Sequence, residues 1–283
     1  MVHLPPKADS ENCITFHPLS ETHTHTIVLL HDHWSTADDF AANFFSALRD
    51  WEHVNADQSP FELFPTVKWV FPQAALLPLQ PRVAGLKALQ LETEDPTEEG
   101  WLRSRGLKLS VDGLVKLLVN DSLSVPRQHI FVGRIGQGFA TVLATFFAEG
   151  QGGLAGLIGF NSWFPLGPRC GYNWGNETVP IVTHLQILQL FYTCYRYGSV
   201  DEASMLQTRI FLEHSQDDEV INISSGRYMR NMLARLQFRN LEWQEYEEGG
   251  HWINKPHGVH DLVAFLRRMI GILLAAEPPH ASP

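Results

Sequence analysis

The alternation of short apolar runs with amphipathic helical stripes is the feature that most constrains the fold of this chain. After most runs, apolar residues recur at i, i+3, i+4 and i+7, which is the spacing of one buried helix face. Regular alternation of strands and helices indicates an α/β fold with a mostly parallel sheet. The predicted strands are Ile14–His17, Thr26–Leu30, Val67–Phe71, Ile130–Val132, Leu154–Phe160, Ile210–Leu212 and Leu241–Tyr246. The predicted helices carry the stripes Phe40–Leu48, Val111–Val119, Phe139–Phe147, Tyr228–Leu236 and Val259–Leu273.

The 283 residues, 44% of them apolar, suffice for one large domain with a sizeable core. We expect an N-terminal arm over residues 1–11, a folded domain over residues 12–275 and a disordered Pro-rich tail over residues 276–283. A helical insertion is predicted at about residues 163–208, where a Pro/Gly/Asn-rich loop precedes the aromatic segment His184–Tyr195. That segment is either an extra packed helix or a lid over the carboxyl edge of the sheet.

Composition excludes several classes of function. The net charge is −10 and no basic cluster occurs, so nucleic acid and anionic membranes are poor candidate partners. No apolar run has the length of a transmembrane helix, and the first residues do not resemble a signal peptide. The three cysteines, Cys13, Cys170 and Cys194, are far apart, which argues against a disulfide framework and a Cys-based zinc site. We therefore expect a cytoplasmic protein.

Unusual residues follow four of the predicted strands. In an open α/β sheet, ligands bind beyond the carboxyl ends of the strands, so these residues are expected to lie together. Along the chain they form a turn, a strand–glycine–helix junction, an acid and a histidine. That is the order in which an α/β-hydrolase supplies its nucleophile, acid and histidine. The four segments are residues 29–34, 131–138, 211–220 and 246–252.

Several short segments resemble the motifs of a known family, in the same order along the chain. They are His31–Ser35, Phe71–Ala74, Trp101, Gly133–Phe139, His214–Val220, Gly250–Trp252 and Asp261–Leu266. The sequence is similar to the phospholipase/carboxylesterase family of α/β-hydrolases, the acyl-protein thioesterase group. The resemblance implies an α/β-hydrolase fold and cofactor-free hydrolysis of an ester or thioester. It also implies that Asp218 is the acid, that His251 is the base, and that the backbone N–H groups of His33 and Gln137 bind the oxyanion.

Three residues depart from the family pattern at the site itself. Gly136 stands where the family has its serine nucleophile, although a covalent acyl intermediate needs an Oγ or Sγ atom there. Arg134 replaces a glycine two residues earlier, and Asp32 replaces the glycine of the oxyanion turn, where a carboxylate opposes developing negative charge. We therefore predict a catalytically impaired homologue that binds an acyl or ester-like ligand, which includes an acylated protein. Trp34 and Trp163 are expected beside that ligand.

Two alternatives remain open for the chain as a whole. One is an active carboxylic-ester or thioester hydrolase, as the family resemblance alone suggests. The other is a protein-interaction module whose pocket is vestigial.

The acid–histidine pair also leaves alternatives open. Asp218 and His251 either form a structural hydrogen bond between two loops or still act as a base that activates water. Asp217 is adjacent to Asp218 and competes for the same role. His31 and His214 lie at strand ends and invite a metal-site interpretation, but no short two-His helical spacing supports it, so we predict hydrogen-bonding roles and no metal. The glycines from Gly133 to Gly138 do not follow the dinucleotide-binding pattern, so no nucleotide cofactor is expected.

Overall fold

The computed structural model describes residues 7–10, 13–31, 35–49, 59–73, 111–119, 124–150, 152–164 and 201–271. Eight strands are present in these ranges: β1 Lys7–Ser10, β2 Cys13–Phe16, β3 His25–Leu30, β4 Val67–Pro72, β5 Ile130–Ile135, β6 Gly156–Phe160, β7 Ile210–Ser215 and β8 Leu241–Tyr246. The helices are α1 Ala37–Arg49, α2 Pro60–Leu63, α3 at residues 111–118, α4 Gln137–Glu149, α5 Glu202–Gln207, α6 Ile223–Arg235 and α7 His257–Ile270. A 3₁₀ turn, Arg127–His129, leads into β5.

The strands form one sheet in the order β1-β2-β4-β3-β5-β6-β7-β8. Strands β3 to β8 are parallel to one another, whereas β2 runs antiparallel to β4 and pairs antiparallel with β1. The strand β1 lies within the predicted N-terminal arm. The mostly parallel sheet agrees with the prediction from the alternating pattern.

Helices cover both faces of the sheet. Along β5, Val132 belongs to the core that includes α3, α4 and α6, while Phe131 belongs to the core that includes α1 and α7. Successive side chains of a strand point to opposite faces, so a parallel strand covered on both sides is apolar throughout. This accounts for the continuous apolar runs in the sequence, and it directs the carboxyl ends of β3 to β8 to one edge.

Two predicted strands are too short. β5 continues through Gly133 to Ile135, because Gly133 is not a turn residue: a Cβ there would lie 2.7 Å from the carbonyl oxygen of Ile158 on β6. β7 continues past Leu212 to Ser215, because Glu213 and its two successors are buried although they are polar. In both strands the added residues lie at the carboxyl edge of the sheet, where the candidate site is expected.

The last helix ends earlier than its apolar stripe predicts. α7 ends at Ile270 because Gly271 takes a left-handed conformation, with φ of 78°, and its N–H caps the carbonyl of Arg267. Within the described part of the chain, no helix is long and apolar enough to cross a membrane.

Candidate functional site

A sharp turn joins β5 to α4 at Gly136. Its backbone has φ 57° and ψ −134°, a conformation that residues with a Cβ atom rarely adopt. The Gly136 N–H donates to the carbonyl of Phe160 at 2.9 Å, and its carbonyl accepts from Phe139 N at 3.1 Å and from Ser162 Oγ at 2.7 Å. The turn therefore has the strained strand-to-helix geometry of a nucleophile elbow, with hydrogen bonds at both ends of the glycine.

Arg134 lies across the start of helix α4. It is buried, and a Cβ added to Gly138 would come within 1.3 Å of Arg134 Cδ. Gly138 therefore provides the space in which the Arg134 side chain lies. Gln137 is the first residue of α4.

Asp218 occupies the loop after β7 with a fully buried carboxylate. Its Oδ1 accepts from Val220 N at 2.8 Å and from Ile221 N at 2.9 Å, and its Oδ2 accepts from His251 Nδ1 at 2.8 Å. Asp217 instead accepts from the backbone N–H of Gly250 at 2.8 Å. His251 is thus paired with Asp218, whereas Asp217 binds the backbone of the loop that carries His251.

Asn161, directly after β6, fixes the position of His251. Its Nδ2 donates to the carbonyls on either side of the histidine, at 3.3 Å to Gly250 O and 2.7 Å to Trp252 O. Its Oδ1 accepts from Ser215 N at 2.9 Å. Phe160, the residue before Asn161, accepts the hydrogen bond from the Gly136 N–H. The elbow is therefore linked to the loop that carries His251 through two consecutive residues, Phe160 and Asn161. The sequence analysis missed Asn161, although a polar residue right after a buried strand is a signal that could have found it.

The side chain of Glu213 also contacts the loop that carries His251. It is buried on β7, its Oε1 accepts from Asn254 N at 3.1 Å, and a Cβ on Gly258 would lie 2.7 Å from its Oε2. Burial raises the pKa of Glu213 to about 8, so this carboxyl is mostly protonated at neutral pH. Sequence analysis did not select Glu213 or Asn254, since their roles depend on contacts between distant segments.

His214 lies behind Asp218 and is also fully buried. Its Nε2 donates to the carbonyl of Ile221 at 2.9 Å and is 3.7 Å from Asp218 Oδ2. Burial lowers the pKa of His214, so the ring is neutral. His31 is buried too, and its Nε2 is 3.2 Å from Gln73 Nε2. Both histidines have hydrogen-bonding contacts, and no group of His, Cys, Asp or Glu in the described ranges is arranged to hold a metal ion.

The remaining predicted site residues divide into two groups. Trp163 is buried next to Ala140 of α4 and Ile221 of the loop that follows β7 and contains Asp218. His33, Trp34 and Asp32 of the predicted oxyanion turn lie outside the described residues, as does the aromatic segment His184–Tyr195.

No family model and no curated protein matches this sequence. Solved structures do match. Esterase PE8 has a TM-score of 0.56 at 16% identity, covering 90% of this chain and 97% of that chain. Acyl-protein thioesterase 2 of Zea mays has a TM-score of 0.54 at 17% identity, covering 92% and 99%. A phospholipase/carboxylesterase from Dyadobacter fermentans has a TM-score of 0.53 at 14% identity, covering 95% and 98%. The chain therefore has the α/β-hydrolase fold, which confirms the predicted fold class.

Proposed function

We propose that this chain is an acyl-protein thioesterase/carboxylesterase-like member of the α/β-hydrolases that has lost its nucleophile. In this proposal it binds an acyl or ester-like ligand, free or on an acylated protein, without turning it over. The observation that carries the proposal is the residue at the elbow. The strained turn is present, and Asp218 and His251 are paired at 2.8 Å, yet residue 136 is a glycine.

The loss of the hydroxyl removes the covalent route. Acyl transfer through an acyl-enzyme needs an oxygen or sulfur nucleophile on the elbow, next to a histidine that takes its proton. Ser162 has a hydroxyl near the elbow, but it is fully buried and donates to the Gly136 carbonyl. That hydroxyl is committed to holding the turn and does not replace the missing nucleophile.

Residual hydrolysis through water is the second candidate, and the intact Asp218–His251 pair favours it. In this route water attacks the acyl carbon, His251 accepts the proton from water, and the leaving group departs with that proton. Removal of the covalent step leaves a much slower reaction, because only general-base catalysis and positioning remain.

A cytoplasmic location is part of the proposal. It is supported by the three cysteines, which are few and spaced far apart in the sequence.

Hydrolysis of p-nitrophenyl butyrate tests the proposal. Wild-type protein and His251→Ala are expected to release p-nitrophenol at the same rate, and a fluorophosphonate probe is expected to label neither. A wild-type rate well above that of His251→Ala, without labelling, would favour the water route. A high wild-type rate abolished by the fluorophosphonate would show that a nucleophile is present and that the proposal is wrong.

A further inference from the structure

Asn254 joins the end of the loop that carries His251 to strand β7 and to helix α7. Its backbone N–H donates to Glu213 Oε1 at 3.1 Å. Its side chain donates to the carbonyl of Glu248 and accepts from Gly258 N at 3.0 Å, and Gly258 lies in the first turn of α7. The bond to Glu213 therefore fastens the second half of this loop, together with the start of α7, to the sheet.

The first half of the loop has separate anchors. Asn161 donates to the carbonyls on either side of His251, and Asp217 accepts from a backbone N–H of the same loop at 2.8 Å. The contacts of Glu213 lie beyond these anchors along the chain. A change at Glu213 therefore acts first on residues 254–258.

The buried carboxyl group of Glu213 has only part of its hydrogen-bonding capacity filled. Oε1 accepts from Asn254 N, but Oε2 has no partner among the described residues. The register neighbours of Glu213 are Phe160 on β6 and Gln244 on β8, and Gly258 covers Oε2, since a Cβ at residue 258 would lie 2.7 Å from that oxygen. An ionised carboxylate at this place would lack the donors that a buried charge needs.

The described titratable groups that act on Glu213 are Tyr246 of β8 and Asp261 of α7. Tyr246 donates its hydroxyl proton to Asp261 Oδ2 at 2.7 Å, so it has none for Glu213. The neighbouring basic residues Lys255 and His260 are exposed to solvent. Burial and, after it, the charge of Asp261 raise the pKa of Glu213 to about 8, although the bond from the backbone of the loop acts in the opposite direction.

We propose that Glu213 is a proton-operated latch, whose protonated carboxyl group holds residues 254–258 closed on β7 and whose loss of the proton opens them to water. In the closed state the carboxyl group is neutral and buried. In the open state it is ionised, and water supplies the donors that Oε2 lacks. Because the loop that carries His251 continues directly into residues 254–258, the latch makes one flank of the candidate site sensitive to pH. The latch requires neither a ligand nor catalysis, so it is independent of the proposed function.

The direction of the pH dependence follows from the protons that the two states hold. A hydrated glutamate releases its proton above about pH 4.5, whereas the closed state keeps it up to about pH 8. The equilibrium constant for opening therefore rises by up to about tenfold per pH unit between these values, and it is constant below and above them.

Backbone hydrogen exchange measured by NMR from about pH 5.5 to about pH 7.5 tests the latch. The Asn254 and Gly258 amides, corrected for their intrinsic exchange rates, are expected to lose about tenfold in protection per pH unit. Both are expected to exchange faster than the buried Val132 amide of β5, because the sheet stays folded during opening. Glu213→Gln is the matched control: it keeps an acceptor for Asn254 N but cannot ionise, so the protection of these amides should not change with pH.

Three results would overturn the latch. One is constant protection of the Asn254 and Gly258 amides across the pH range in the wild type. Another is exchange of both amides at the rate of Val132 at every pH, which would mean that they open only when the whole chain unfolds. The third is a pH-dependent loss of protection that persists in Glu213→Gln. The wild-type profile decides the first two whether or not the variant folds, and none of the three alters the result expected with p-nitrophenyl butyrate.

Discussion

Replacing Gly136 by serine tests the elbow geometry with a single change. The residue has φ 57° and ψ −134°, and holding a residue with a Cβ atom in such a region costs about 1–3 kcal/mol. Part of this cost is offset, because serine lowers the conformational entropy of the unfolded chain relative to glycine, by about 0.4–1 kcal/mol. Taking the middle of each range, we expect Gly136→Ser to lower the free energy of unfolding by about 1 kcal/mol.

Urea and thermal denaturation measure this loss. For a chain of this size, 1 kcal/mol corresponds to a change in Tm of about 2–4 °C. Gly113→Ser is the matched control: residue 113 lies in α3, and a Cβ there meets no atom of the described residues within 4 Å. The control is expected to gain a few tenths of a kcal/mol, because serine has the higher helix propensity.

A Gly136→Ser variant as stable as the wild type, or more stable, would contradict this expectation. Residue 136 would then not occupy a strained elbow, and the whole site would be misplaced.

Gly136→Ser combined with Asp32→Gly and Arg134→Gly should show esterase activity that Gly136→Ser alone lacks; an inert but folded triple variant would mean that the acid–histidine pair is no longer catalytic. Glu213 has a pKa of about 8 in the folded chain, raised by burial from about 4.5, so the folded state holds a proton that the unfolded chain releases. The stabilisation from this proton is complete below about pH 4.5, and it falls by up to about 1.4 kcal/mol per pH unit between about pH 4.5 and pH 8. Urea denaturation of Glu213→Gln at several pH values in that range should lack this fall in the free energy of unfolding. Asn161→Ala should cost about 2 kcal/mol in urea denaturation, because it leaves the groups that Asn161 binds without partners; an unchanged midpoint would contradict the role given to Asn161.

The alternating pattern predicted the element types well because apolar spacing reports burial directly. The pattern placed strand ends wrongly where one residue type occurs in two different structural settings. Gly133 resembles a turn residue in sequence, but it lies inside a strand where the neighbouring strand leaves no room for a side chain. Glu213 resembles the end of a strand, but it is buried and mostly protonated. The edge strand β1 has no apolar pattern, and it is defined by its backbone pairing with β2.

The pair Asp218 and His251 was predictable because the order of motifs along the chain places both at one sheet edge. The motif spacing already favoured Asp218 over the adjacent Asp217. In the structure Asp218 accepts from His251 and Asp217 accepts from the backbone N–H of Gly250. Asn161 could have been selected as a polar residue directly after a buried strand, but its partners on the histidine loop could not. Asn254 gives no such signal, because its bond to Glu213 joins segments that are distant in the chain.

Intact-protein mass spectrometry after incubation with a fluorophosphonate shows whether the elbow has lost its nucleophile, since the reagent forms a stable adduct only with an activated nucleophile. We expect the wild-type protein to keep its unmodified mass, because residue 136 has no hydroxyl and the Ser162 hydroxyl is buried and bonded to the Gly136 carbonyl. A stoichiometric adduct on the wild-type chain, absent from His251→Ala, would contradict it.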